Sequence, residues 1–375
     1  MRKRRYLVPW RRGALATGQI EAAAQAAGTE GAEGLLRELE GKPAIYHCIT
    51  RVAGGHRCLG FDEKEKFVEI LRRHEAFCMV RVLTFCVMSN HVHILVEVPG
   101  APGDRGGSWS DEEFLAHLSK LYRGGELAGH RWRLENLRRR GLDGAAREFR
   151  ERFFARMWDL SSFMKGVNQS FAQWFNRTRG RRGHLWGDRF KSVVVEGGRA
   201  ARVVAAYIDL NPVRAGIAED PGDYRWSGYG RAAAGDALAR EGLRWTVFES
   251  AGMEAGRAGA ARMAANWAEA GRRYRELLSE AGEKRGGGGR AEAGGSSAEA
   301  GGGRLSEAGM LRGRVRYFSD GLVVGSRGFV ESVFGLTRGY FGAGRSSGAR
   351  PLRGVDTPLK TMRDLRKDAL GAPET

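Results

Sequence analysis

VRVLTFCVMSNHVHILVEVP, residues 80–99, contains two runs rich in β-branched and aliphatic residues, with only Ser89-Asn90 between them. Such runs favour the extended, pleated backbone, and so short a polar break between them favours a tight hairpin. In the second run His91 and His93 stand at alternate positions. Alternate residues of a strand share a face, so both imidazoles project to one side and Val92 projects to the other, into the core. Upstream, AIYHCITRV (44–52) reads as a further strand. DEKEKFVEILRRHEAF (62–77) places Phe67, Ile70, Leu71 and His74 at helical spacing. Asp62 is the expected N-cap, with Glu65 at the capping-box position. The order through the hairpin is therefore β-α-β-β.

Downstream, residues 100–145 begin with PGAPGDRGG (99–107) and read as an insertion with a helix around DEEFLAHLSKLY (111–122). REFRERFFARM (147–157) through SSFMKGVNQSFAQWFN (161–176) is a long amphipathic helical region. LWGDRFKSVVVE (185–196) is the next strand. RAARVVAAYIDL (199–210) is a helix that stops at Asn211-Pro212, because proline disfavours the helical state of the residue before it. The sum, β-α-β-β-α-β-α, predicts an α+β fold: a ferredoxin-like four-stranded antiparallel sheet with helices on one face, plus extensions. This core spans 43–230. A basic, partly disordered arm (1–42) precedes it. An Ala-rich helical extension (231–282), a flexible Gly-rich linker (283–304) and a small basic C-terminal module (305–375) follow. The linker has too few large apolar groups to offset ordering entropy, so truncation near residue 282 is expected to leave the core folded.

The 375 residues carry 62 Lys+Arg against 44 Asp+Glu, a formal net charge of +18. That excess suggests a polyanionic partner, because Lys and Arg displace the counterions condensed on phosphate backbones. MRKRRYLVPWRR at the start lacks a following apolar run and does not read as a secretory signal. No run of about 18 apolar residues occurs, so no membrane span is expected. The cysteines, Cys48, Cys58, Cys78 and Cys86, form no C-x-x-C pair. Reduced thiols are expected rather than a zinc knuckle or a disulfide framework.

Two imidazoles on one face make half of a divalent-metal site. They are also compatible with ordinary core or surface histidines. Tyr207 and Asn211 are four apart on the helix and share a face, so they could address one site together. Alternatively, Tyr207 is a packing aromatic and Asn211 a helix-terminal turn residue. Arg177, Arg179, Arg181 and Arg182 cluster near Trp174 and Trp186, and Arg189 and Lys191 follow. Cations grip phosphates and rings stack on exposed bases of single strands. Solvated arginines beside core tryptophans would look the same. GGHRCLG (54–60) carries Arg57 on a Gly-rich loop.

MSNHVHILVEVP (88–99) resembles the M-x-N-H-x-H-hydrophobic signature of HUH single-tyrosine transposases, which occur in bacterial insertion sequences and as REP-associated tyrosine transposases. GHLWGDRFKS (183–192) resembles that family's G-x-L-W-x-x-R-F/Y block. YIDLNPVRAG (207–216) resembles the block that carries its nucleophilic tyrosine. All occur in family order within residues 44–230. The family's fold is the ferredoxin-like sheet already read from periodicity. The resemblance implies a transposase that cleaves and rejoins single-stranded DNA through a 5′-phosphotyrosine, in transposition or in processing of repeated palindromic elements. It implies Tyr207 as nucleophile, His91 and His93 as metal ligands, and Asn211 at the third-ligand position. Mg²⁺ or Mn²⁺ is the implied cofactor, and single-stranded or hairpin DNA the implied partner. A homodimer is admitted, and the implied location is cytoplasmic, at the nucleoid. The N-terminal arm and the C-terminal extension lie outside the resemblance, and the insertion is longer than in compact relatives. Two other readings compete: a non-catalytic nucleic-acid-binding protein on the same sheet, and a related HUH replication initiator or relaxase. A pure binder needs neither the His-x-His pair nor the tyrosine, and the block order favours the transposase branch. Tyr46 is the main rival nucleophile; Tyr224 and Tyr229 lie in the turn-rich DYRWSGYG (223–230).

Overall fold

The computed structural model describes residues 43–104, 107–248, 267–282, 304–338, 341, 344–362 and 370–371. The expected arm, 1–42, and the expected linker up to residue 303 lie outside the described residues. The central strands are β1 (Ala44–Arg51), β2 (Arg81–Val87), β3 (His91–Val98) and β4 (Lys191–Val195). They lie in the order β2-β3-β1-β4 and pair antiparallel. The hairpin closes as expected: Met88 N–H donates to the His91 carbonyl at 2.9 Å, and Val87 pairs with Val92.

The four-stranded expectation requires correction. The sheet is seven-stranded, because Val194 and Val195 of β4 pair in parallel with Val323 and Val324 of a distant segment. That segment begins with β5 (Arg314–Val315) and β6 (Val323–Gly325), and continues through β7 (Arg350–Pro351) and β8 (Lys360–Thr361). The full order is β2-β3-β1-β4-β6-β8-β7; β5 pairs separately with β9 (Leu370–Gly371). The valine run Val193–Val195 that ends β4 would otherwise present an open apolar edge. The residues read as a separate C-terminal module thus pack into the main sheet.

Helices cover both faces rather than one. The cause is in β1 and β3, which are apolar at both alternating sets of positions. Tyr46, Cys48, Val92, Ile94 and Val96 face one layer. It holds α1 (Phe61–Cys78), α2 (Asp111–Leu118), α3 (Gly124–Arg139), α4 (Asp143–Phe154) and α5 (Leu160–Thr178). Ile45, Leu95, Val193 and Val195 face the other. There lie α6 (Arg199–Asp209), α7 (Asn211–Arg214), α8 (Gly228–Ala233), α9 (Ala237–Phe248), α10 (Trp267–Gly282), α11 (Glu307–Leu311) and α12 (Arg316–Asp320). A last helix, α13 (Arg327–Leu336), returns to the first face through Val330, Val333 and Phe334. Among the described residues no helix is long and apolar enough to cross a membrane.

Two local expectations shift. Helix α1 is capped at Gly60, whose N–H donates to Glu63 Oε2 at 3.0 Å; Glu65 instead pairs with Arg225 and Arg231. The long helical region breaks into α4 and α5 at Trp158, whose φ of 51° is left-handed, and Asp159 caps the restart by accepting the Ser162 N–H at 2.6 Å.

Helix α6 is fastened from below by Asp209. Its fully buried carboxyl accepts Thr84 Oγ1 at 2.9 Å, Tyr274 OH at 2.7 Å and the Tyr229 N–H at 3.0 Å. Burial nevertheless raises its pKa to about 7, outweighing the lowering by these donors. An acid whose pKa is higher in the folded than in the unfolded state binds more protons when folded. Its contribution to stability therefore declines as pH rises from the unfolded carboxylate value, about 4, through the folded value, and is constant above it. The melting temperature is expected to fall between about pH 5 and pH 7.5, and Asp209→Asn should flatten that slope. Thermal melts by circular dichroism check this; parallel slopes in the two proteins would contradict it.

Candidate active site

Register decides which side chains meet. Ile49 pairs with His93 and His47 with Leu95, so the odd positions of β1 and β3 share the face that α6 covers. His91, His93 and His47 are 3%, 1% and 0% exposed. The His93 ring lies 5.0 Å from that of His91 and 5.0 Å from that of His47, stacked on the latter at 24°. Tyr207 descends from α6 and stands edge-on to His93, at 6.1 Å between centroids. Phe318 of α12 meets the Tyr207 ring at 5.2 Å, and the Arg214 guanidinium sits over it at 4.2 Å.

The imidazoles are joined in series. The Phe318 carbonyl lies 2.8 Å from His47 Nδ1, and His47 Nε2 lies 2.8 Å from His93 Nδ1. His91 Nδ1 lies 2.6 Å from Asn90 Oδ1. Burial pushes His47 down to about 4. It also holds His93 well below the ordinary histidine value, with the charges of His47, His91 and two arginines acting in the same direction. His93 Nε2 is buried and has no hydrogen-bond partner among the described residues. A buried imidazole nitrogen left in that state fits a metal ligand, and it is the structural feature that accords with the implied ion. Among the described residues, no group of three or more His, Cys, Asp or Glu side chains is arranged to hold a metal.

Asn211 lies two residues past the end of α6. Its Nδ2 donates to the carbonyls of Ile208 at 3.1 Å and Tyr207 at 3.3 Å, closing the end of α6. It also lines, with His91 and Tyr207, a cleft of about 540 Å³. Arg51, Arg57, Arg214, Arg312 and Arg314 line the same cleft. His93 stands beside His91 but is not part of that lining.

The other predicted contact residues lie elsewhere. Arg177 joins Trp174, Lys66 and Arg73 in a separate cleft of about 670 Å³ on the α1–α5 side. Arg179 is ion-paired with Glu63. Arg181 lies over the Phe175 ring at 5.7 Å. Arg182 and Arg189 are exposed. Lys191 pairs with Asp320 at 2.6 Å. Trp186 packs on Phe171 and donates from Nε1 to the Asn168 carbonyl at 2.9 Å. None of them lines the Tyr207 cleft. Five residues at or beside the cleft carry no motif signal of their own: His47, Arg51, Arg214, Arg312 and Arg314. His47 is a lone polar ring inside an apolar strand, in the alternation of Ile45 and Ile49. Arg312 and Arg314 stand about a hundred residues beyond the motifs that they face. Among rival tyrosines, Tyr46 points into the opposite layer, and Tyr224 donates its hydroxyl to the Val87 carbonyl at 2.7 Å.

Structurally, then, this is an α+β protein with a histidine–tyrosine cleft rimmed by arginine. No family model matches the sequence, and no curated protein matches it. Among solved structures, the chain is similar to a REP-associated tyrosine transposase bound to a REP hairpin. The TM-score is 0.33 and the identity 12%, over 51% of this chain and 80% of that one.

Proposed function

We propose that this chain is a metal-dependent single-stranded DNA endonuclease and strand transferase that works through Tyr207, in DNA transposition or in processing of repeated palindromic elements. One observation carries the reading: among the described residues Tyr207 is the only tyrosine lining the arginine-rimmed cleft, and it shares that cleft with His91 and Asn211.

The chemistry follows from charge. A phosphodiester is anionic and repels nucleophiles, so the arginines at the rim would bind the strand and lower that barrier. A phenol ionises near pH 10 and attacks poorly until it does. The Arg214 guanidinium over the Tyr207 ring would counter negative charge that develops during the attack. Tyr207 Oη attacks phosphorus, the P–O3′ bond breaks, and the 3′ oxygen leaves as a hydroxyl after taking up a proton. The 5′ phosphate stays on the tyrosine. A second 3′-hydroxyl can reverse the step, which permits rejoining without ATP. His91 and His93 would hold Mg²⁺ or Mn²⁺. Asn211 Oδ1 is the atom left to join them, since Nδ2 is engaged by helix carbonyls. Such an ion would supply Lewis-acid polarisation of the scissile phosphate.

Incubation with single-stranded and hairpin oligonucleotides in Mn²⁺ is expected to yield a covalent protein–DNA adduct, resolved by denaturing gel. Binding should favour these substrates over plain duplex and weaken steeply with salt. Absence of any adduct, or salt-insensitive binding equal for both forms, would overturn the reading.

A further inference from the structure

We propose that His47 is a positioning residue that fixes the tautomer of His93, and that the C-terminal segment holds His47 in place through the Phe318 carbonyl. This deepens the reading of His93 as a metal ligand and rests on it.

A carbonyl oxygen can only accept, so the hydrogen in the 2.8 Å contact between Phe318 O and His47 belongs to Nδ1 of the ring. His47 is fully buried, and its ring nitrogens meet a carbonyl and a second imidazole rather than a carboxylate. A second proton would place an uncompensated charge in an apolar layer. Its Nε2 therefore keeps its lone pair and accepts the hydrogen of His93 Nδ1 across 2.8 Å. With that hydrogen on Nδ1, His93 Nε2 bears the lone pair. The opposite tautomer would set two lone pairs against each other at 2.8 Å, and would bury an N–H at Nε2 with no acceptor.

His91 reaches the same state by a different route. Asn90 Nδ2 donates to the Gly55 carbonyl at 3.1 Å, so Oδ1 is the end that faces His91. It accepts the Nδ1 hydrogen. Both strand histidines are thus set in advance to offer Nε2. Such outer partners orient ligating imidazoles, and losing one typically costs about 10- to 100-fold in metal affinity.

The test begins with metal-free, ¹⁵N-labelled full-length protein. Long-range ¹H–¹⁵N spectra are expected to show His93 protonated at Nδ1 and bare at Nε2. Two variants follow. His47→Leu has neither donor nor acceptor and should weaken Mn²⁺ binding, measured by electron paramagnetic resonance, by about 10- to 100-fold. His47→Gln offers an amide N–H to Phe318 and an amide oxygen to His93, and should retain most of the affinity. The proposal fails if wild-type His93 carries its proton on Nε2, or if His47→Leu binds Mn²⁺ as tightly as the wild type. Should the leucine variant not fold, a glutamine variant as impaired as predicted for leucine would overturn it equally. A wild-type protein with the expected tautomer and no affinity for Mn²⁺ would support the relay and remove the metal-dependent function instead.

Discussion

Tyr207→Phe is expected to eliminate the covalent adduct and reduce strand cleavage by on the order of 10⁴-fold or more, the scale on which deletion of a covalent nucleophile acts. The substitution removes one oxygen and keeps the ring, so the contacts with His93, Phe318 and the Arg214 guanidinium persist. Stability should change by less than about 1.5 kcal/mol, the usual weight of one hydroxyl interaction. DNA affinity should be nearly unchanged, because the arginines that rim the cleft are untouched. Loss of adduct with binding intact is a combination that a purely structural tyrosine would not produce. Peptide mapping of a trapped adduct to Tyr46 or any other tyrosine would refute the assignment, as would persistent cleavage by the phenylalanine variant.

Truncation after residue 303 is expected to abolish cooperative folding, contrary to what the linker composition predicts. The deletion removes β6, β7 and β8 from the sheet. It also strips Val323, Val330, Val333, Phe334 and Met362 from one core layer and Tyr317, Phe318 and Val324 from the other. Deleting a single large buried side chain costs about 2–5 kcal/mol. A whole domain is commonly stable by only about 5–15 kcal/mol. Several such losses together exceed that margin. Chemical denaturation followed by circular dichroism decides the matter: a sharp, native-like transition in the shortened chain would show the C-terminal strands to be dispensable.

The parts of the fold legible in the sequence were those encoded locally. The hairpin at Ser89-Asn90 and the common facing of His91 and His93 depend only on strand alternation. The break near Asn211-Pro212 was legible too, but α6 ends at Asp209 and Asn211 and Pro212 open the short helix α7, so the residue before the proline is helical after all. The remaining features depend on distant partners. Burial of β1 and β3 on both faces was written in AIYHCI and ILVEV, yet an apolar run does not say what covers it. Strand β6 is three residues long, too short for periodicity to reveal, and its parallel match with β4 joins positions far apart in the chain. The arginines from Arg177 to Lys191 are neighbours in sequence but leave α5, cross a loop and enter β4. Their cations are therefore distributed between Glu63, Asp320, a phenylalanine ring and solvent. The arginines that do gather at Tyr207 come from four separate places in the chain.

The parallel contact between β4 and β6 also bears on when the protein becomes competent during its synthesis. Closing so long a loop costs entropy before any contact repays it, and such non-local pairings form late. Tyr207 and its histidines emerge from the ribosome long before Arg312, Arg314 and Phe318 do. Until those residues have emerged and β6 has docked, the cleft lacks one wall and His47 lacks its carbonyl anchor. A nascent chain therefore holds Tyr207 in an unfinished site until the segment through Phe318 and β6 has emerged and docked.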